Sequence, residues 1–177
     1  DEHHDPPLQR DGNELLPHRK GVLAAKQHFS ALDLIGGVYV YPRPDSAKRP
    51  DLWLVRPKGQ LVARVEVLSS HNNRDSWERK FRAWREKDEP TIWVVENRKA
   101  MVEFVNHFVR NGFFELDNGM FGGEPNNWAP VRVNARLQRS RTGPYGYNSH
   151  DAITTIPSVL EGYSVDALEF LQRNDII

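Results

Sequence analysis

Apolar residues along the first part of the chain change from a helical spacing to an extended one. Over residues 15–32 they recur every three or four positions, which predicts an amphipathic helix. Short runs rich in β-branched and aromatic residues then predict strands at residues 38–41, 52–55 and 61–68. The turn Pro57-Lys58-Gly59 separates the last two of these runs, so they are expected to form a β-hairpin.

The rest of the pattern alternates helices with strands. Residues 74–87 and 99–109 have helical spacing, and the compact apolar run at 91–95 between them predicts a strand. Residues 131–137 alternate apolar with polar side chains and predict a later strand, and Ser164 suits the N-cap of a last helix. This order predicts an α/β fold with a mixed central β-sheet flanked by helices.

The same pattern predicts three regions. Residues 1–13 are polar and turn-rich, which favours a flexible lead-in. Residues 14–116 form the predicted α/β core, and residues 117–177 are expected to be a C-terminal extension of strand and helix that packs on it. The chain begins at Asp1 rather than at methionine, which favours a piece of a longer protein, although N-terminal processing would give the same start.

Composition and charge narrow the classes of function. Lys and Arg number 24, as do Asp and Glu, so the overall charge predicts no polyanionic partner. Any nucleic-acid surface must therefore come from local clustering of basic residues. The chain has no cysteine, which excludes disulfides, thiolate nucleophiles and Cys-ligated zinc and fits a cytoplasmic protein. No apolar run approaches membrane-spanning length, so no membrane partner is expected.

Two carboxylates are expected to meet at one end of the hairpin. Asp51 precedes the first strand directly and Glu66 lies near the end of the second, and antiparallel pairing brings such positions together. Neighbouring carboxylates repel each other unless a positive charge lies between them. A hard divalent cation such as Mg²⁺ or Mn²⁺ is the usual solution, and it can activate water and stabilise charge on a phosphodiester.

A lysine on the following helix is a third candidate. Trp77, Phe81 and Trp84 form the apolar stripe of that helix, and Lys80 lies on the same face. A lysine on a buried stripe needs a carboxylate partner, or it must extend its ammonium group to water at the edge. The two carboxylates of the hairpin are the expected partners.

Residues 50–97 carry a series of short motifs. In order along the chain they are Pro50-Asp51, Glu66-Val67-Leu68-Ser69, Lys80 and Trp93-Val94-Val95. This series resembles the PD-(D/E)xK nuclease superfamily, and most closely its small restriction-endonuclease-like family, in which the lysine lies on the helix after an E-V-L-S strand. Two positions depart from that pattern: Leu68 occupies the standard E-x-K lysine position, and Ser70 replaces the usual proline.

The resemblance implies a restriction-endonuclease-like core and a metal-dependent endonuclease that hydrolyses DNA phosphodiester bonds. It implies that Asp51 and Glu66 bind Mg²⁺ or Mn²⁺, with the carbonyl of Val67 and the carboxylate of Glu14 as further ligands. Lys80 would position the attacking water or offset charge in the transition state. The alternative is a catalytically inactive module of this fold that binds DNA or a partner protein, including other domains of a larger replication, mobilisation or defence protein.

Each of the three candidate catalytic residues also has a simpler interpretation. Asp51 could be an ordinary turn residue before a strand, in which case Asp45, which also follows a proline, is the alternative for its role. Strand alternation could place Glu66 on a solvated face. Lys80 could extend along a core helix to water.

Basic residues outside the motifs are candidates for binding nucleic acid. A histidine follows the E-V-L-S strand, an arginine opens the next helix, and arginines alternate along and beyond the strand predicted at 131–137. A solvated strand face followed by a loop is the simpler account of the later arginines. The candidates are His71, Arg74, Arg132, Arg136, Arg139 and Arg141.

Overall fold

A computed structural model describes the chain at residues 16–33, 35–42, 50–68, 74–84, 90–111, 114–116, 135–139 and 150–160. Side chains at 74, 81–84, 114–116, 135–139 and 150 lie outside this description. The helices in these ranges are α1 (Leu16–Ser30), α2 (Arg74–Trp84), α3 (Arg98–Arg110) and α4 (Ile156–Leu160). The strands are β1 (Gly37–Val40), β2 (Leu52–Val55), β3 (Leu61–Leu68), β4 (Thr91–Val95), β5 (Phe114–Leu116), β6 (Ala135–Arg139) and β7 (His150–Thr155).

The strands form one mixed sheet in the order β1-β2-β3-β4-β7-β6-β5. The first three are antiparallel neighbours, and the hairpin of β2 and β3 is confirmed, with one register shift between Leu54 and Val55. β4 runs parallel to both β3 and β7, and the remaining pairs are antiparallel. The predicted α/β class with a mixed sheet and flanking helices is therefore confirmed.

Helices cover both faces of the sheet. Side chains of α1 and α4 pack with alternate residues of the central strands, including Val65 and Val94. The intervening residues, such as Trp93 and Val95, pack on the opposite face with α3 and with Trp77 of α2. The central strands are thus buried on both sides, which is typical where parallel pairing joins strands covered by helices.

A glycine lets α1 lie very close to β3. A Cβ atom at Gly21 would lie 2.7 Å from Cγ1 of Val67 and 2.8 Å from Cδ1 of Ile156. Any larger side chain would force Val67, Ile156 or the helix itself to shift, because such distances are well inside van der Waals contact. The close approach also brings the first turn of α1 to the end of the hairpin where β3 finishes.

Most predicted elements agree with the structure to within a few residues. The first helix is described from Leu16 and ends two residues earlier than predicted, and the strand predicted at 131–137 is described only from Ala135 and extends to Arg139. The strands β5 and β7 and the helix α4 were not predicted. The last helix predicted from Ser164 lies outside the described residues. No helix in the described ranges is long and apolar enough to cross a membrane.

The prediction of a C-terminal extension beyond residue 116 needs a correction. β7 lies inside the sheet between β4 and β6, and its register pairs Ile92 with Ala152 and Val95 with Thr155. α4 follows directly and packs against α1 through the same apolar core. Residues 150–160 therefore complete the core instead of packing on it, and β7 supplies the hydrogen-bonding partners on the second edge of the buried strand β4.

Candidate functional site

Asp51 is held by backbone groups at the open end of the hairpin. Its carbonyl accepts the N–H of Tyr41 at 2.8 Å, and its Oδ2 accepts the N–H of Val67 at 2.8 Å. The side chain is completely buried. Tyr41 has φ 47°, a left-handed conformation that costs a non-glycine residue about 1–3 kcal/mol. Backbone strain therefore accompanies the anchoring of this carboxylate.

Glu66 lies opposite Asp51 across the hairpin and is also buried. β2 and β3 pair Leu52 with Val65, so the next positions along both strands place Asp51 beside Glu66. On its other side Glu66 pairs with Trp93 of β4. Only 1% of Glu66 is exposed, so the alternative of a solvated strand face is wrong.

Lys80 joins the two carboxylates from α2. Its Nζ lies 2.7 Å from Oε2 of Glu66 and 3.4 Å from Oδ2 of Asp51. The side chain retains 21% exposure, so the ammonium group lies at the boundary between the buried pair and solvent. The simpler interpretation, in which Lys80 only reaches water, does not describe these contacts. The structure thus brings together the three residues predicted as catalytic.

A fourth residue, His18, belongs to this cluster and was missed in the sequence. Its Nε2 lies 3.2 Å from Oδ2 of Asp51, and its side chain is 13% exposed. His18 precedes Val22 by four residues and therefore lies on the buried stripe of α1 with Val22, Ala25 and Phe29. A histidine in register with an apolar stripe was the available signal, but the sequence does not reveal which group it faces.

The two carboxylates have opposite pKa shifts. Burial alone would raise the pKa of Asp51, but the charge of Lys80 and the contacts of His18 and the Val67 N–H outweigh it and hold that pKa well below its ordinary value. Burial raises the pKa of Glu66 to about 7, against the attraction of Lys80 and with added repulsion from Asp51. Burial and repulsion from Asp51 therefore favour the protonated form of Glu66, while Lys80, His18 and the Val67 N–H favour the ionised form of Asp51.

Because the pKa of Glu66 is raised in the fold, we expect the stability of the metal-free protein to depend on pH. The pKa of Glu66 is about 7 in the fold against an ordinary value of 4.5, so between these values the native state binds more protons than the unfolded state. The free energy of unfolding should consequently fall as pH rises through that window, by on the order of 3 kcal/mol in total. Glu66→Gln should remove this fall. Urea denaturation from pH 5 to pH 8 with a chelator present measures it.

Two other groups in the described ranges have shifted pKa values, and neither changes the comparison. The lowered pKa of Asp51 affects stability only in acid, below its ordinary value. Burial lowers the pKa of His28, which gives a slope of opposite sign, but that residue is the same in both proteins. Glu103→Gln, an exposed change on α3, is the matched control and should keep the wild-type slope. Parallel profiles for wild type and Glu66→Gln would show that Glu66 is ionised throughout.

Several predicted site residues lie beyond what the structure describes. Glu14, His71, Arg132 and Arg141, and the alternative ligand Asp45, are outside the described ranges. Arg74 begins α2, and Arg136 and Arg139 lie in β6, but their side chains are not described. Their roles stay predictions. Leu68, in the standard lysine position, is 1% exposed and packs in the apolar cluster beside α3.

The cluster is an acidic pair with one lysine and one histidine, contributed by the β2–β3 hairpin, α2 and α1. Two buried carboxylate oxygens beside a partly exposed ammonium group can bind a cation and can also hold an anionic group at the rim. Within the described residues there is no group of three or more His, Asp or Glu side chains placed to hold a metal ion by themselves. No protein-family model, curated protein or solved structure matches this chain.

Proposed function

We propose that this chain is a metal-dependent endonuclease-type domain of the PD-(D/E)xK class that hydrolyses DNA phosphodiester bonds. The observation that carries the proposal is the position of Lys80, whose Nζ lies within 3.4 Å of both buried carboxylates. The strand–strand–helix–strand order β2-β3-α2-β4 carries Asp51, Glu66 and Lys80. The short motifs of that class occur in the same order of elements. Each of these residue types is common by itself, but here all three lie in contact with one another.

The donor set fits a hard divalent cation. Asp51 and Glu66 offer carboxylate oxygens, and Mg²⁺ bound by two carboxylates keeps several waters. Burial raises the pKa of Glu66 to about 7, and repulsion from Asp51 adds to this effect, so a divalent ion bound to the carboxylate would take the place of the proton. The carbonyl of Val67 and the carboxylate of Glu14 are proposed as further ligands. Bound there, such an ion would lower the pKa of a water and stabilise charge on a phosphate oxygen.

Lys80 has the exposure and charge needed to act on the substrate. Its side chain is 21% exposed, so a phosphate at the rim is within reach of the ammonium group. We assign it the orientation of the attacking water or the stabilisation of negative charge that develops on the phosphate. A fixed cation stabilises nearby negative charge most strongly where water is largely excluded. The burial of Glu66 creates such an environment on one side of the Lys80 ammonium group.

DNA is the proposed partner, and basic residues outside the cluster are the proposed contacts. Arg74 starts the helix that carries Lys80, and the two residues are six steps apart, roughly 9 Å along the axis. The other proposed contacts are His71, Arg132, Arg136, Arg139 and Arg141. Since the chain has no net charge, affinity for DNA must come from such local groups and should fall steeply with salt.

One observation favours a second candidate, a catalytically inactive module of the same fold. Lys80 pairs with Glu66 at 2.7 Å, so part of the charge of the cluster is satisfied without any ion. The standard lysine position is a buried leucine, Leu68, which has no chemical role. A module of this kind would bind DNA or a partner protein but would leave phosphodiester bonds intact.

Metal-dependent cleavage separates the two candidates. Purified protein should nick or linearise supercoiled plasmid with Mg²⁺ or Mn²⁺, and a chelator should abolish the reaction. Calorimetric titration with Mn²⁺ should show binding. At pH 6 the metal should displace the proton of Glu66, and the buffer takes up that proton, so the measured heat should change with the ionisation enthalpy of the buffer. If wild-type protein neither binds Mn²⁺ nor cleaves, the nuclease proposal fails. DNA binding measured by fluorescence anisotropy would then support the inactive module.

A further inference from the structure

His18 lies against the same oxygen of Asp51 that Val67 and Lys80 contact. Its Nε2 is 3.2 Å from Oδ2, and the other two distances are 2.8 Å and 3.4 Å. An ionised carboxylate can only accept hydrogen bonds, so Nε2 of His18 carries the hydrogen in this contact. Donors from α1, β3 and α2 therefore converge on one oxygen of a fully buried carboxylate.

We propose that His18 is a positioning residue that orients Asp51 for binding a divalent cation. This inference rests on the proposed function, because it concerns the metal ligands of the same site. The Val67 N–H and Lys80 contact Oδ2 of Asp51 from β3 and α2, and the donor on α1 further restricts the rotation of the carboxylate. Hydrogen-bond partners of metal ligands act in this way, and their loss commonly weakens metal affinity 10–100-fold.

Docking of α1 does not require this hydrogen bond. The helix is held by Val22, Ala25 and Phe29, each at most 2% exposed. Gly21 lets the backbone lie close to β3 directly after the His18 turn. These apolar contacts bury far more surface than one partly exposed histidine, so His18 variants should fold. The same contacts place Nε2 near Asp51 with little freedom, as a positioning role requires.

The test is Mn²⁺ affinity measured by calorimetry, which needs no cleavage. His18→Phe keeps a ring but removes the donor, and it should bind Mn²⁺ about 10–100-fold more weakly than wild type. His18→Gln places an amide N–H near the position of Nε2 and should stay within a few-fold of wild type. His28→Phe is the matched control on the same helix, roughly 15 Å farther along, and should bind as wild type does.

Cleavage kinetics give a second readout. At saturating Mn²⁺, His18→Phe should recover most of the wild-type turnover, because the substitution weakens metal binding more than it slows the chemical step. Wild-type affinity in His18→Phe would overturn the inference while leaving the nuclease proposal standing. A His18→Gln variant as weak as His18→Phe, or a His18→Phe variant that fails to fold, would also overturn it by showing a structural role. Absence of Mn²⁺ binding in wild type would instead refute the metal site itself.

Discussion

Replacing Glu66 with glutamine should lower the rate of metal-dependent DNA cleavage about 10³-fold or more while the fold stays intact. The amide has nearly the volume of the carboxylic acid and can still accept a hydrogen bond from Lys80, which lies 2.7 Å from Oε2. It cannot supply the negative charge that a divalent cation needs. Catalysis and metal affinity should therefore fall together, although packing around β3 is unchanged.

The stability of this variant makes the test specific. At neutral pH the glutamine variant should be at least as stable as metal-free wild type, because it needs no proton to offset the repulsion from Asp51. Loss of cleavage in a protein of undiminished stability cannot be attributed to unfolding. Glu103→Gln on the exposed face of α3 should cleave at the wild-type rate. Near-native turnover of Glu66→Gln would refute the assignment of this site.

The hairpin and its two carboxylates could be predicted because the information is local. The turn at Pro57-Lys58-Gly59 joins the two strands and pairs Val55 with Leu61. A register shift between Leu54 and Val55, which the sequence did not reveal, then gives the observed pairing of Leu52 with Val65. That register alone places Asp51 beside Glu66. The prediction that Lys80 faces inward was equally local, since it needed only the stripe begun by Trp77, which is 5% exposed.

The burial of Glu66 could not be decided from the sequence. One neighbour of β3 is its hairpin partner, but the other is β4, which is parallel and reached only through α2. Helices then cover both faces of β3, so alternation does not separate an inner from an outer face. In a two-stranded hairpin with one open face, the same Glu66 would have been solvated.

β7 was missed because its sequence is polar. His150–Thr155 contains an aspartate and two threonines that are buried in the fold. Asp151 accepts the N–H of Thr91 at 3.1 Å and the indole N–H of Trp93 at 3.0 Å, both contributed by β4. These polar groups can be buried because they have hydrogen-bond partners about sixty residues away. A local sequence pattern does not reveal such distant partners. The link from His18 to Asp51 is non-local for the same reason.

Replacing Lys80 with methionine should lower the cleavage rate about 10²–10³-fold and should also reduce stability. Methionine fills the space of the aliphatic stem but removes the ammonium group that contacts both carboxylates. Asp51, fully buried, then keeps its charge with fewer partners. Removing one member of a buried ion pair costs about 3–5 kcal/mol, and protonation of Glu66 should reduce this cost in acid. The destabilisation should thus be larger at pH 8 than at pH 6.

Two controls separate the catalytic effect from the structural one. Lys58→Met, at the turn of the hairpin and far from its open end, should retain both the cleavage rate and the stability of wild type. Lys80→Arg should restore stability more than rate, because a guanidinium group keeps the charge but places it differently. Mn²⁺ affinity of Lys80→Met should not fall, since the lysine repels the cation that the carboxylates attract. A Lys80→Met protein that cleaves at the wild-type rate would reduce this lysine to a structural ion pair and leave the two carboxylates as the only catalytic groups in the proposal.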